Sequence, residues 1–215
     1  MDHGKQRFFD LAIESGVLRF GEFVLKSGRR SPYFFNAGLF YSGSRLAALG
    51  EFYADTAISS ELAFDVVFGP AYKGIPLAAA TAIGLARLGR DVGYAFNRKE
   101  IKDHGEGGVV IGHALAGQRV LIVDDVISSG LSVDEAVRLI VAQDGIPVAI
   151  VIALDRRERG AGTLSAADEV RARHGLPVLC VATIMDLLVY LRNRGGATEH
   201  VDAIEAYLDH FGANR

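Results

Sequence analysis

One cysteine stands in 215 residues, Cys180, inside the apolar run Val178-Leu179-Cys180-Val181. A lone thiol forms no internal disulfide, and this setting marks it as a small buried hydrophobe rather than a nucleophile. No apolar run approaches membrane-spanning length. The first residues, Met1-Asp2-His3-Gly4-Lys5-Gln6-Arg7, lead into a mixed polar and apolar helix pattern and not into a continuous apolar leader. A soluble protein of a reducing cytoplasm, with no membrane partner, is therefore expected. An excess of positive charge is missing too: 23 Lys and Arg face 26 Asp and Glu, a formal net charge of −3. That balance gives no general attraction to nucleic acid, and no basic helix-turn-helix segment is visible. Ser-His-Asp constellations, metal-ligand spacings, P-loops, internal repeats and low-complexity tracts are likewise not found. With half its residues hydrophobic and 23% charged, the chain has the composition of one globular domain with a substantial core.

From Ser42 onward helix-like and strand-like patterns alternate. Helices are predicted near 43–60, 74–88, 132–143 and 164–174, and strands over 65–69, 92–96, 119–124, 147–154 and 177–182. Such alternation implies an α/β fold with a mostly parallel sheet covered by helices. A first helix, roughly 4–15, precedes short β-like runs and turns over 17–38, which suggest a small hood. Helices near 183–193 and 199–211 finish the chain. The expected organisation is one domain, with a hood of roughly 1–40 plus C-terminal elements and a core of roughly 41–183.

The run Val120-Leu121-Ile122-Val123-Asp124-Asp125-Val126-Ile127-Ser128-Ser129-Gly130-Leu131-Ser132 carries the most chemistry. Four aliphatics read as a strand buried on both faces, and the segment after Ser132 reads as an amphipathic helix. The loop between them opens a helix N-terminus, where unpaired N–H groups and the helix dipole favour a phosphate. Gly130 lets the backbone approach such a ligand, and the serines add hydroxyl donors. Asp124 and Asp125 stand just upstream, where the vicinal hydroxyls of a phosphorylated pentose would lie. Acid pairs also hydrogen-bond neighbouring loops, and Ser-rich turns also cap helices. The combination of acids, glycine and hydroxyls favours the ligand.

This run resembles the phosphoribosyl pyrophosphate (PRPP) motif of the type I phosphoribosyltransferases. The resemblance implies that the acids contact ribose hydroxyls and that the loop from Val126 to Ser132 holds the 5-phosphate. Where the family usually has threonine, this chain has Ser128 and Leu131. Leu131 lacks a hydroxyl, so its contribution falls to the backbone or to Ser132. Gly69-Pro70-Ala71-Tyr72-Lys73-Gly74, between a strand and an Ala-rich helix, reads as a turn or a second anion nest. It resembles the family's pyrophosphate loop, which implies PRPP binding by Tyr72 and Lys73 and a cis peptide bond before Tyr72.

Asn97 to Gly108 is polar and Gly-rich, a solvated loop or one that closes over a substrate. It resembles the catalytic loop of the orotate-specific branch of the family. That likeness implies that Arg98, Lys99, Lys102 and His104 act on the substrate of a partner subunit, and hence a homodimer. Lys26 to Gly38 resembles the same branch's hood signature, and Leu154-Asp155-Arg156 its base-binding strand end. Orotate, a planar pyrimidine carboxylate, would then meet Lys26, Phe34, Phe35, Ser128 and Arg156. Strand neighbours point to opposite faces, so at least one of the two phenylalanines is expected in the core.

The implied reaction is displacement of pyrophosphate at C1 of PRPP by N1 of orotate, giving orotidine 5-monophosphate in pyrimidine synthesis. An oxocarbenium-like transition state needs no protein nucleophile, so positioning and charge carry the catalysis. Mg²⁺ is the implied cofactor, held mainly by PRPP and water, close to Asp124 and Asp125. Lys102, with Arg98, Asp124 and Asp125, is the expected catalytic group, acting in leaving-group stabilisation or proton transfer. Lys102→Ala is expected to lower kcat far more than it weakens PRPP binding; steady-state kinetics with an unchanged kcat would remove Lys102 from the mechanism. Rival readings are a purine or uracil phosphoribosyltransferase, a PRPP-sensing regulator and, least favoured, a phosphoacceptor switch built on the acid pair.

Overall fold

A computed structural model of the chain describes residues 2–25, 27–98, 108–160 and 162–213. Its central sheet has six strands: β3 (Val66–Gly69), β4 (Gly93–Asn97), β5 (Val110–Gly112), β6 (Arg119–Asp124), β7 (Ile146–Asp155) and β8 (Val178–Thr183). They lie in the order β5-β4-β3-β6-β7-β8. All pairings are parallel except that of β5 with β4. The α/β expectation holds, with β5 as a short antiparallel edge that the sequence pattern does not show. Three residues ending in glycine are too short a run to show the period-2 signal by which strands are recognised.

Successive residues of the central strands feed two cores. Val67, Leu121, Val123 and Val151 pack beneath α1 (His3–Glu14), α2 (Gly43–Ser59), α3 (Gly74–Arg87) and α6 (Ile184–Arg194). Val66, Phe68, Val120, Ile122 and Ile150 face α4 (Leu131–Ala142) and α5 (Ala166–His174). Burial on both faces explains why these strands read as continuous aliphatic runs. Strands β1 (Leu18–Val24) and β2 (Arg30–Phe35) form an antiparallel hairpin beside the sheet. Helix α7 (Thr198–Phe211) packs on β2, with the Tyr207 ring edge-on to Tyr33 at 6.2 Å between centroids.

Side chains cap most helix starts. Asp2, Ser42 and Ser165 accept from first-turn amides of α1, α2 and α5, and Thr183 with Asp186 forms a capping box on α6. Helices α3 and α4, which begin at the two loops singled out above, have no side-chain cap. Among the described residues no helix is long and apolar enough to cross a membrane.

Candidate active site

Strand β6 ends at Asp124, and its acids fold back on the local backbone. Asp124 Oδ1 accepts from the Asp125 N–H at 2.9 Å, and Asp125 Oδ1 accepts from the Val126 N–H at 2.8 Å. Both residues are only 7% exposed. Burial, then the neighbouring Asp125 charge, pushes the Asp124 carboxyl up to about 6, although the Asp125 amide, the Ser132 hydroxyl and the Lys73 ammonium oppose the shift. Two acids buried side by side at a strand end form a site that favours donors and cations.

One cation is in place. Lys73 Nζ donates to Asp125 Oδ2 at 2.7 Å, joining the 70–73 loop to the acid pair. The lysine side chain is 63% exposed, so this contact adds little stability and leaves the ammonium free to turn to a ligand. The Ala71–Tyr72 peptide is cis, as the resemblance implied. Asn97, at the end of β4, accepts the Ala71 N–H on Oδ1 at 2.8 Å and so ties the loop to the root of the basic segment.

The 126–132 loop supplies the second half. Val126 packs against one core, and Ile127 is buried in the other. Ser128, Ser129 and Ser132 are exposed. Gly130 caps α4 with φ +76°, and a Cβ there would lie 2.8 Å from Val170 Cγ2, so both conformation and space require glycine. Helix α5 backs this loop further: Asp134, in the first turn of α4, accepts from His174 Nε2 at 2.6 Å and from Arg173. Despite the cost of burial, those partners hold the Asp134 carboxyl below the usual carboxylate range. Leu131 is 63% exposed and points to no core, so the departure from threonine costs a hydroxyl and gains no packing. Helix α4 begins without a side chain on its N-cap, directly after the exposed Ser128 and Ser129, and such a helix start favours a phosphate.

Of the basic segment, Arg98 alone is described; Lys99, Lys102 and His104 lie outside the described residues, as does Lys26 of the hood. Arg98 lines a cavity of about 430 Å³ with Pro70, Ala71, Asn97, Ser132 and Glu135, and its Nη1 is buried without a hydrogen-bond partner among the described residues. A cation thus borders the gap between the two loops. Tyr72 is exposed at the same edge.

Arg156 follows β7 and turns inward. Its Nε donates to Glu158 Oε1 at 2.8 Å, and its guanidinium stacks 4.7 Å from the Tyr33 ring of the hood. The two phenylalanines divide as the pleat demands. The Phe35 ring is core, 6.2 Å from the Phe8 ring, leaving its backbone as the part a ligand can meet. Phe34, on the other face, is half-buried and stacks on Phe23 at 5.5 Å with Arg19 above it. Cys180 is partly buried, and burial followed by the nearby Asp155 charge pushes its thiol up to about 11, which agrees with an inert residue.

Three supporting residues had no signal in the sequence. Asn97 reaches across 26 positions to Ala71. Tyr53, fully buried on α2, donates its hydroxyl to the Asp124 carbonyl at 2.7 Å. Glu158 pairs with Arg156. Each depends on a contact that only the fold creates.

Comparison with known proteins agrees with this geometry. Residues 41–172 match the model of the phosphoribosyl transferase domain. An orotate phosphoribosyltransferase of Nitrosococcus oceani is 55% identical over 98% of this chain and 96% of its own length. The one from Thioalkalivibrio sulfidiphilus is 57% identical over 97% and 98%. The crystal structure of the Francisella tularensis orotate phosphoribosyltransferase superposes with a TM-score of 0.87 at 37% identity, covering 96% of this chain and all of that one. A Mycobacterium tuberculosis orotate phosphoribosyltransferase solved in complex with PRPP shares the fold at a TM-score of 0.65 and 24% identity, over 86% of this chain and 98% of that one. With a strand-end acid pair, two uncapped helix N-termini and near full-length likeness of this kind, the chain belongs to the orotate phosphoribosyltransferases of the phosphoribosyltransferase family.

Proposed function

We propose that PRPP lies across the carboxyl edge of the sheet, between the 70–73 and 124–132 loops, and that orotate enters from the hood side. The observation that carries this placement is the buried Asp124–Asp125 pair standing between Lys73 and the uncapped start of α4. Asp124 and Asp125 accept the ribose 2- and 3-hydroxyls. Backbone amides from Val126 to Ser132, with the hydroxyls of Ser128, Ser129 and Ser132, hold the 5-phosphate. Tyr72 and Lys73 meet the pyrophosphate.

In the chemical step the C1–O bond to pyrophosphate breaks, the C1–N1 bond to orotate forms with inversion, and the N1 proton passes to the released pyrophosphate or to water. Positive charge builds on the ribose ring as negative charge builds on the leaving group. Preorganised carboxylates on one side and cations on the other meet that separation with little reorganisation. The described residues contain no group of three or more His, Cys, Asp or Glu side chains that would cage a metal. They offer instead the acid pair, which suits Mg²⁺, an ion that takes one or two carboxylates, waters and phosphate oxygens. When bound, Mg²⁺ supplies charge neutralisation to the leaving pyrophosphate.

Arg98, Lys99, Lys102 and His104 complete the leaving-group site from the 97–108 loop of a partner subunit in a homodimer, and Lys26, Phe34, Ser128 and Arg156 frame orotate beside the Phe35 backbone. This reading places a hood of roughly residues 1–40 and the C-terminal helices over a core of roughly 41–183, in a cytoplasmic enzyme. Mixing the protein with orotate, PRPP and Mg²⁺ tests it through loss of orotate absorbance, beside parallel pyrophosphate release with uracil and purine bases. Turnover confined to orotate is expected. Turnover with a purine or uracil in its place would overturn the assignment of the hood.

A further inference from the structure

We infer that Glu158 is a positioning residue for the acceptor base, fixing the guanidinium plane of Arg156 so that one edge is presented to the ligand. The inference rests on the reading of Arg156 as a base-binding residue and adds what orients it. Arg156 and Glu158 are largely withdrawn from water, at 12% and 15% side-chain exposure. Between them Arg157 takes a left-handed backbone, φ +50°, with its N–H on Asp155 Oδ1 at 2.8 Å. That turn brings residues two apart onto the same side, where Glu158 Oε1 accepts from Nε at 2.8 Å and forms an ion pair with Nη2 at 2.5 Å.

The rest of the cluster closes around this pair. The Ser31 hydroxyl donates to the Tyr33 carbonyl at 2.8 Å, and the Ser31 oxygen accepts from the Tyr33 N–H and from Arg156 Nη2, each at 3.4 Å. The Tyr33 ring covers one guanidinium face at 4.7 Å. Arg29 of the hood approaches Glu158 Oε2 at 3.8 Å, donates to the Arg159 carbonyl at 3.1 Å and lies over the Phe211 ring of α7. Three of the five guanidinium N–H groups belong to Nε and Nη2, the edge held by Glu158 and Ser31, and the two on Nη1 form the edge outside those contacts. A long flexible side chain has been given one orientation by an acid, a hydroxyl and a ring from two separate parts of the fold. The acid also balances a charge that would otherwise be costly in so enclosed a place.

The experiment compares Glu158→Gln, Glu158→Ala, Arg156→Ala and the Arg156→Ala/Glu158→Ala double variant in steady-state kinetics with each substrate varied. The KM for orotate is expected to rise about threefold in Glu158→Gln, which keeps an acceptor, and about tenfold in Glu158→Ala, with the KM for PRPP within about twofold of the parent. The double variant is expected to match Arg156→Ala, because an orienting residue has nothing left to orient. Equal rises in both KM values, or fully additive effects in the double variant, would overturn the positioning role. So would an unchanged orotate KM in Glu158→Gln, the near-isosteric variant that decides the matter if Glu158→Ala does not fold. An unchanged orotate KM in Arg156→Ala would instead remove Arg156 itself from the base site.

Discussion

Asp124→Asn is expected to make a protein that melts higher than the parent at pH 7.5 and turns over about a hundredfold less efficiently with PRPP. Both outcomes come from one cause. The fold holds the Asp124 carboxyl at about 6, against an ordinary value of 3.8, because it is buried beside Asp125. A carboxyl raised in the folded state binds its proton more tightly there than in the unfolded chain. The folded protein is therefore favoured while the proton is on, and that advantage disappears as pH rises from about 4 through about 6. Above this window the group is a net burden, with an upper bound of about 3 kcal/mol for a shift of about two units. Asparagine keeps the Oδ1 acceptor for the Asp125 N–H and removes the charge. Losing the Lys73 and Ser132 interactions gives part of that back, leaving about 1–2 kcal/mol, or about 2–8 °C in Tm for a chain of this size. Activity moves the other way, because a neutral amide is a poorer acceptor for ribose hydroxyls and does nothing for a bound dication. Thermal melts at pH 5 and 7.5 beside initial rates check both halves. The variant's gain should shrink toward pH 5, and a gain equal at both values would mean that charge burial is not its source.

That the site spends stability on two crowded carboxylates explains why it was so visible in the sequence. Charged residues directly after four buried aliphatics break a pattern that packing alone would continue, and Gly130 with the serines marks where the chain must turn into a helix. The five parallel strands of the sheet were legible for the related reason that strands covered on both faces are written as aliphatic runs. What stayed hidden is whatever depends on two segments meeting. Val110–Gly112 becomes β5 only because β4 offers it an open edge. Asn97, Tyr53 and Glu158 look like ordinary polar, aromatic and charged residues until the fold sets them against Ala71, the Asp124 carbonyl and Arg156. The two phenylalanines of β2 show the intermediate case: alternation demanded that they part, and the fold decided that Phe35 turns into the core. Lys102 rests on the resemblance alone, because motif similarity reaches residues that lie outside the described ones.

Gly69→Ala is expected to damage stability and catalysis together, which separates it from the Asp124 variant. Gly69 closes β3 and Gly74 opens α3, and the two backbones touch: an added Cβ at Gly69 would fall 1.9 Å from the Gly74 carbonyl oxygen, 2.4 Å from its carbon and 2.9 Å from Ala78 Cβ. No rotamer relieves a clash with backbone, so the first turn of α3 must move off the strand. Overpacking of this kind costs about 1–3 kcal/mol, and with backbone on both sides the upper end is expected. For a chain of this length that is a fall of about 6–12 °C in Tm. The displaced turn carries Lys73 away from Asp125, now 2.7 Å distant, and loosens the Ala71 N–H from Asn97. A shift of about 1 Å in groups that hold a reacting substrate costs about a hundredfold in rate, so kcat/KM for PRPP should drop by that order. The same substitution at Gly43, in the first turn of α2, is the internal standard. There an added Cβ meets nothing within 4 Å, and alanine is the better helix former by about 1 kcal/mol. Gly43→Ala should therefore match or exceed the parent in Tm and leave turnover unchanged. If Gly69→Ala behaved like Gly43→Ala in both melts and kinetics, the close approach of β3 to α3 would not be what fixes the 70–73 loop.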